Sequence, residues 1–508
     1  MIEKAELKKK ILGCWMGKNI GGTFGTPTEG KNCSEFEKYI EYYTEDIKNG
    51  ALANDDLDLQ LVWLNAIEKY GNQLNSRILA EYWLSYIIPN PSEYGAAKGN
   101  LMMGIEPPIS GEVNNLHKNS CGAFIRSEIW ACLAPGHPEI AVRYAIMDAE
   151  VDHSGEGVYG EMFCAAMESA AFVINDRERL IDIALSYIPD ESGIKRAVES
   201  VKKSYKSGLT WKQAFYELMR VEPSSFSGMK GWIDDNGKKI KTREIGYDVT
   251  GNIGIFVLGW FYGDGDFGKS LAIAVNCGED TDCTAATLGA IYGIMNGVDR
   301  IPEKWKNPIG NDIVTCCVND MDWTITIPKT IDELTERIMR LIPSVIGYEY
   351  CVDGFENAAN LYYTGEKNKY TRMIDSDKKR NPYVVHYKSE LFEVLLDYCG
   401  SIFFDDCSVK KFKLKFLSNR GTQFWVNIKA YHSDYVEIKP GDVFSTYLYQ
   451  FYHGMSELEF EVNIGESNQN KISMVLELSI EGRCQKLFIP IALIKSTGIY
   501  IKNIECEE

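Results

Sequence analysis

A chain of 508 residues with 45% hydrophobic content is too long for one ordinary domain and can bury one or two substantial cores. Its net charge of −18, with no clusters of Lys and Arg, excludes a phosphate-neutralising nucleic-acid surface and points to solubility and cation affinity instead. The fourteen cysteines form no Cys-x-x-Cys pair and no metal-ligand spacing, and Cys132, Cys164 and Cys277 lie in apolar helical surroundings, which fits reduced thiols and a cytoplasmic location. The basic start breaks at Gly13 before an apolar segment forms, so no signal peptide is expected. The longest apolar run, Ile253 to Tyr262, is too short to cross a bilayer.

In chain order, Glu6 to Trp15 predicts an opening helix, followed by the Gly-rich segment GKNIGGTFGTPTEG from Gly17 to Gly30. With no strand before it and no Gly-Lys-Ser/Thr ending, this segment is not a nucleotide-phosphate loop. Its glycines let backbone pass close to something, and it ends on a lone acid, Glu29. Asn54-Asp55-Asp56 then opens a helix whose core stripe is Leu57, Leu61, Leu64 and Ala66 or Ile67. A proline-marked loop from Glu106 to Asn115 leads to Asn119–Trp130, which enters a helix through Cys121-Gly122-Ala123. Small side chains there would let a ligand reach backbone N–H groups.

A helix from Pro138 to about Ala149 precedes Asp152-His153, in a Gly-bearing loop before another small-residue helix. Six histidines make no zinc cluster, so His153 is assigned a ligand-contacting role and not a metal role. Gly251–Tyr262 and Asp266–Val275 read as helices, and Thr330–Leu341 as the last long one. Between them Glu279 precedes Asp280-Thr281-Asp282, at the mouth of a helix rich in small residues: Ala285, Ala286, Gly289, Ala290 and Gly293. Each acidic motif alone is an ordinary helix cap or dipole partner. Two such mouths, with Glu29, form the hard-oxygen constellation that Mg²⁺ or Ca²⁺ requires, which favours a metal-dependent hydrolase.

Beyond about Tyr370, the segments SIFFDDCSVKKFKLKFLSN, TQFWVNIKAYHSDYVEIKP, ELEFEVNIGES and NKISMVLELSIEG alternate with period two and predict antiparallel strands of a β-sandwich. Trp425, Tyr431, Tyr447, Tyr449 and Phe451 are read as core or cross-strand aromatics before sugar-stacking ones. The expected organisation is a helical domain over 1–350, a linker over 351–380 and a smaller all-β sandwich domain over 381–508.

In order and spacing, Gly13 to Gly30, Asn54-Asp55-Asp56, Cys121-Gly122-Ala123, Asp152-His153 and Asp280-Thr281-Asp282 resemble the ADP-ribosylglycohydrolase superfamily, which includes dinitrogenase reductase activating glycohydrolase. The resemblance covers roughly residues 1 to 345. It implies an all-α fold with a cleft for one or two Mg²⁺ ions, and hydrolysis of the bond joining ADP-ribose to a protein side chain or other acceptor. It makes Asp55, Asp56, Asp280 and Asp282 metal ligands, Glu29 an acid that assists catalysis, and Gly122 and His153 pocket residues.

Departures alter the set. Asn54 stands where a threonine usually helps hold metal, and its carbonyl oxygen can serve; Cys283 stands where Thr or Ser usually completes the second position, and its soft sulfur suits Mg²⁺ poorly. Gly21-Gly22 replaces a common Gly-Asp. The expected site is thus Asn54, Asp55, Asp56, Asp280, Asp282 and Cys283 for metal, Glu29 and Asp56 for proton transfer, and Cys121, Gly122, Ala123, Asp152 and His153 for substrate. The substrate is a small molecule or an ADP-ribosylated group, with no nucleic-acid or membrane partner. The alternatives are cleavage of another glycoside or nucleoside on the same scaffold, and a non-catalytic sugar- or nucleotide-binding protein.

Overall fold

The computed structural model describes residues 2–44, 47, 50–226, 231–319, 321, 324–347, 351–352, 358–359, 378–405, 407–419, 423–449, 455–466 and 468–496. The expected linker thus lies largely outside the described residues, as does Phe451. The described residues hold sixteen α-helices: α1 (Lys4–Gly25), α2 (Asp55–Tyr70), α3 (Ser76–Tyr86), α4 (Ser92–Met102), α5 (Ile109–Glu112), α6 (Glu128–Leu133), α7 (Pro138–Ala149), α8 (Glu156–Ala171), α9 (Arg177–Ser186), α10 (Gly193–Lys206), α11 (Trp211–Val221), α12 (Val249–Tyr262), α13 (Phe267–Cys277), α14 (Thr281–Asn296), α15 (Glu303–Ile309) and α16 (Ile331–Ile346). Five two-residue strands accompany them: β1 (Ile2–Glu3), β2 (Trp232–Ile233), β3 (Lys239–Ile240), β4 (Cys351–Val352) and β5 (Ala358–Ala359). No helix among the described residues is long and apolar enough to cross a membrane.

The first helix is longer than its sequence suggests. The Gly-rich segment is not a loop; it continues α1 for ten residues past Trp15, to Gly25. Glycine disfavours an isolated helix, but here its missing side chain lets α1 press against α14. A Cβ on Gly13, Gly17, Gly21 or Gly25 would lie 2.4, 2.0, 2.1 and 2.3 Å from the carbonyl oxygens of Gly293, Gly289, Ala285 and Thr281. The four-residue spacing on both helices brings the C-terminus of α1 to the N-terminus of α14. Glu29 follows α1 at once, so this packing sets the acid beside the Asp280-Thr281-Asp282 turn. The loop is pinned there by Gly30 N–H to Glu279 O and Glu279 N–H to Lys31 O, both 3.0 Å.

The chain divides into two compact units, one of residues up to Lys98 and from Ser110 to Lys379, the other of Gly99–Ile109 with residues from Arg380 onward. The second unit is a β-sandwich whose strands are β6 (Val384–Lys388), β7 (Phe392–Asp397), β8 (Phe403–Phe404), β9 (Val409–Ser418), β10 (Phe424–Tyr431), β11 (Val436–Lys439), β12 (Val443–Leu448), β13 (Met455–Ile464), β14 (Lys471–Ser479) and β15 (Lys486–Lys495). They form two five-stranded sheets, in the orders β12-β10-β14-β15-β8 and β11-β13-β9-β7-β6, antiparallel except for β15 with β8. Alternate residues of each strand are buried between the sheets. Phe392 meets Phe424, and Phe444 meets Phe460, across that layer at 6.2 and 5.9 Å between ring centres. Trp425 and Tyr449 are exposed; Tyr447, between them, packs on both rings. Tyr387 donates from its hydroxyl to Glu106, which ties the 99–109 segment to this unit.

Candidate active site

Two helix mouths meet at the end of α1. The α2 mouth is capped by Asn54, whose Oδ1 accepts the Asp56 N–H at 2.7 Å. That bond orients the amide, so its Nδ2 faces the α14 mouth and donates to Asp282 Oδ2 at 3.0 Å. Asn54 therefore presents a donor to the acidic pocket, not the carbonyl oxygen expected of a metal ligand. Asp55 is half-buried and accepts from the Tyr94 hydroxyl at 3.0 Å. Burial first, then the Asp282 charge, raises its pKa.

Glu29, Asp280 and Asp282 each contribute a carboxylate oxygen to a group lying within 4.8 Å of one another. Asp280 and Asp282 are buried, while Glu29 forms the exposed edge. Burial, Asp282 and Asp55 push Glu29 up to about 7. Burial and then Asp282 push Asp280 well above the usual carboxylate range. Asp280 Oδ1 and Asp282 Oδ1 are buried without a hydrogen-bond partner. Oxygens orphaned this way in one crowded group fit a hard divalent cation, which both supplies the missing partner and cancels the repulsion.

The neighbouring group of Asp56, Asp282 and Cys283 fits such an ion poorly. Asp56 is almost fully buried, with Oδ2 3.3 Å from the Lys18 ammonium and Oδ1 accepting from Cys283 Sγ at 3.4 Å. Lys18 also bonds Glu128 Oε1 at 2.8 Å and the Ile125 carbonyl. Burial opposes its charge, but Glu128 and Asp56 outweigh that and keep it protonated. Gln60 secures the far side of Glu128, Nε2 to Oε2, at 2.8 Å. Burial, then Asp280 and Asp282, push the Cys283 thiol well above its ordinary range, so it acts as a donor. The Thr284 hydroxyl donates to the Asp280 carbonyl at 2.9 Å. Asp56 is thus not placed to carry protons for a substrate, because its two oxygens face Lys18 and Cys283 inside the core.

The expected substrate residues divide. Cys121 is buried beside Asp280, with its thiol raised by burial and by that carboxylate. Gly122 does not open a path for a ligand: a Cβ there would lie 2.2 Å from Glu93 Oε1, so the glycine makes room for a glutamate. Ala123 is fully buried, and its carbonyl accepts the Arg126 N–H at 3.2 Å. Asp152 and His153 are also fully buried. Asp152 accepts from Arg126 Nη2 and Nη1 at 2.6 and 3.1 Å, and its Oδ1 is 2.9 Å from His153 Nδ1. His153 Nε2 bonds Ser120 Oγ at 3.1 Å. These two side chains serve the scaffold behind the mouth and do not line it.

Sequence reasoning missed Lys18, Gln60, Tyr94 and Glu128. The available signal for Lys18 was its place in a Gly-spaced stretch at four-residue intervals, which marks a buried helix where a lysine needs an acidic partner.

The family model for ADP-ribosylglycohydrolase matches residues 3–344. An uncharacterized protein of Archaeoglobus fulgidus is 22% identical over 349 residues, covering 66% of this chain and 100% of that protein. A solved structure described as an ADP-ribosylglycohydrolase-related protein complex is 16% identical with a TM-score of 0.41, covering 67% of this chain and 98% of its own. With its helical domain matched almost from end to end, the chain belongs to the ADP-ribosylglycohydrolase family of glycosidic-bond hydrolases.

Proposed function

We propose that the chain hydrolyses the glycosidic bond of an ADP-ribosyl substrate, N- or O-linked, with a single Mg²⁺ held by Glu29, Asp280 and Asp282 and with Asp55 beside them. The observation that carries this reading is the gathering of Glu29, Asp280 and Asp282 in one group of oxygens, two of them buried without a partner, with the α2 mouth joined to it through the Asn54–Asp282 hydrogen bond. When bound, the ion supplies a Lewis-acid contact for a ribose hydroxyl or water. Glu29, at the solvent-facing edge, is the group able to take a proton from the attacking water and pass it to the leaving group. Tyr94 orients Asp55 through its hydroxyl, and Asn54 orients Asp282 through its amide. Lys18 neutralises Asp56 behind the mouth and leaves the front carboxylates to the ion.

The test is a hydrolysis screen of ADP-ribosylated peptides, nucleosides and aryl glycosides with Mg²⁺ or with a chelator. Mg²⁺-dependent release of ADP-ribose is expected. Undiminished turnover in the chelator would overturn the metal mechanism, and turnover of nucleosides or aryl glycosides alone would move the assignment to that substrate class.

A further inference from the structure

Asp58 follows the acidic pair by two residues but takes no part in the mouth. Its Oδ2 accepts the backbone N–H groups of both Cys316 and Cys317, each at 2.7 Å. Its other oxygen, Oδ1, is buried without a hydrogen-bond partner, on a residue with 0% exposure. The Cys316 and Cys317 sulfurs stand 3.5 Å apart, and one ligand atom from each of the three residues lies within 4.8 Å of the other two. The cysteine loop is fixed on its other side by Ile88 N–H to Cys317 O and Asn319 N–H to Tyr86 O, both 2.8 Å.

Anchoring the loop accounts for Oδ2. It does not account for a buried carboxylate whose second oxygen has only the weak Cys316 thiol nearby, an arrangement that is costly unless something stronger binds there. Two sulfurs bound to one tetrahedral ion at the usual Zn–S length stand about 3.8 Å apart, so the observed spacing needs little adjustment. Thiolate ligands select soft ions over Mg²⁺.

We infer that Asp58, Cys316 and Cys317 form a site for one soft divalent ion of the Zn²⁺ class, separate from the acidic mouth, with the fourth position open to solvent beside the exposed Cys316. Binding displaces the two thiol protons to solvent and leaves two thiolates and one carboxylate around the ion. The ion then ties the cysteine loop to the first turn of α2, the helix whose mouth presents Asp55.

The experiment uses the reduced, metal-free full chain in saturating Mg²⁺, titrated with Co²⁺ and then with Zn²⁺. One equivalent of Co²⁺ with sulfur-to-metal charge-transfer absorption is expected, and Zn²⁺ displaces it. Cys316→Ser and Cys317→Ser each weaken binding by about tenfold or more. Cys399→Ser, in the β-sandwich, and Asp282→Asn leave the signal unchanged. The inference is overturned if the absorption is absent, if it survives in both cysteine variants, or if a Cys316–Cys317 disulfide forms in air as fast with Zn²⁺ as without it, because ligated thiols resist oxidation.

Discussion

The acidic mouth and the cluster around Arg126 both bury several charges in the helical unit, yet they are built differently. In the Arg126 cluster the cation answers Asp148 and Asp152, while the third acid, Glu161, has both oxygens buried without a hydrogen-bond partner and is pushed well above the usual carboxylate range by burial and by Asp148. The guanidinium donates to Asp148 Oδ1 at 2.9 Å, to both oxygens of Asp152 and to the Gly122 carbonyl at 2.6 Å, and Trp130 Nε1 takes the remaining Asp148 oxygen at 3.0 Å. In the mouth, oxygens of Asp280 and Asp282 face one another unanswered. Burial alone therefore does not mark function; the mouth is set apart because two carboxylates with orphaned oxygens lie within 4.8 Å of a third, Glu29, that is open to solvent.

The largest expected effect comes from breaking the Arg126 cluster. Arg126→Met leaves Asp148 and Asp152 as uncompensated buried carboxylates and should cost about 3–5 kcal/mol of stability, read as a lower midpoint in urea denaturation. Asp282→Asn should behave in the opposite way. It removes one of several like charges, so the metal-free protein becomes no less stable, while turnover in Mg²⁺ falls by about 100-fold or more. Equal stability losses in the two variants would erase the distinction.

The same contrast predicts opposite responses to pH. Glu29 has a folded pKa of about 7, above its ordinary value of 4.5, so the folded state holds the proton more tightly. Its contribution is full below about 4.5 and is lost as pH rises through about 7. In chelator, Glu29→Gln should become progressively more stable than wild type as pH rises over that window, and Mg²⁺ should abolish the trend. Asp152 runs the other way: burial raises its pKa, but Arg126 and His153 outweigh burial and bring it down to about 2. Its contribution is present above the ordinary value of 3.8 and is lost as pH falls toward about 2. Thermal melts across both windows would check the two signs.

The parts of the site legible in the sequence were those written locally. Asn54-Asp55-Asp56 and Asp280-Thr281-Asp282 each sit at a helix mouth, where a cap and its following apolar pattern can be read from neighbouring residues. The partners of Lys18 were not legible, because Asp56 and Glu128 are distant in sequence and meet it only in the folded core. Gly122 was misread because a missing side chain looks the same whether it admits a ligand or a packed glutamate. The length of α1 was missed because local propensity counts glycine as a breaker, while contact with α14 reverses that preference. In the sandwich, β15 carries Pro490, which interrupts a strand pattern; it is tolerated because the side of β15 away from β14 is paired only at Ile494 and Lys495.

The smallest expected effect concerns Cys283, and it separates two reasons why the mouth would hold one ion and not two. From the sequence alone, the soft sulfur weakens the second metal position, and Cys283→Thr should then strengthen Mg²⁺ binding. The structure adds a second obstacle, because Asp56 Oδ2 already lies 3.3 Å from the Lys18 ammonium, which is itself held by Glu128. A threonine hydroxyl would replace the thiol as donor to Asp56 without displacing that charge. Cys283→Thr is therefore expected to change Mg²⁺ affinity by less than about threefold, or about 0.7 kcal/mol, and to bind one equivalent of Mn²⁺ as the wild type does. Calorimetric titration with Mg²⁺ and magnetic-resonance counting of bound Mn²⁺ would decide it. A second equivalent appearing in Cys283→Thr would mean that sulfur alone limits the site, and that the Lys18 ammonium yields its place when a hard ligand is supplied.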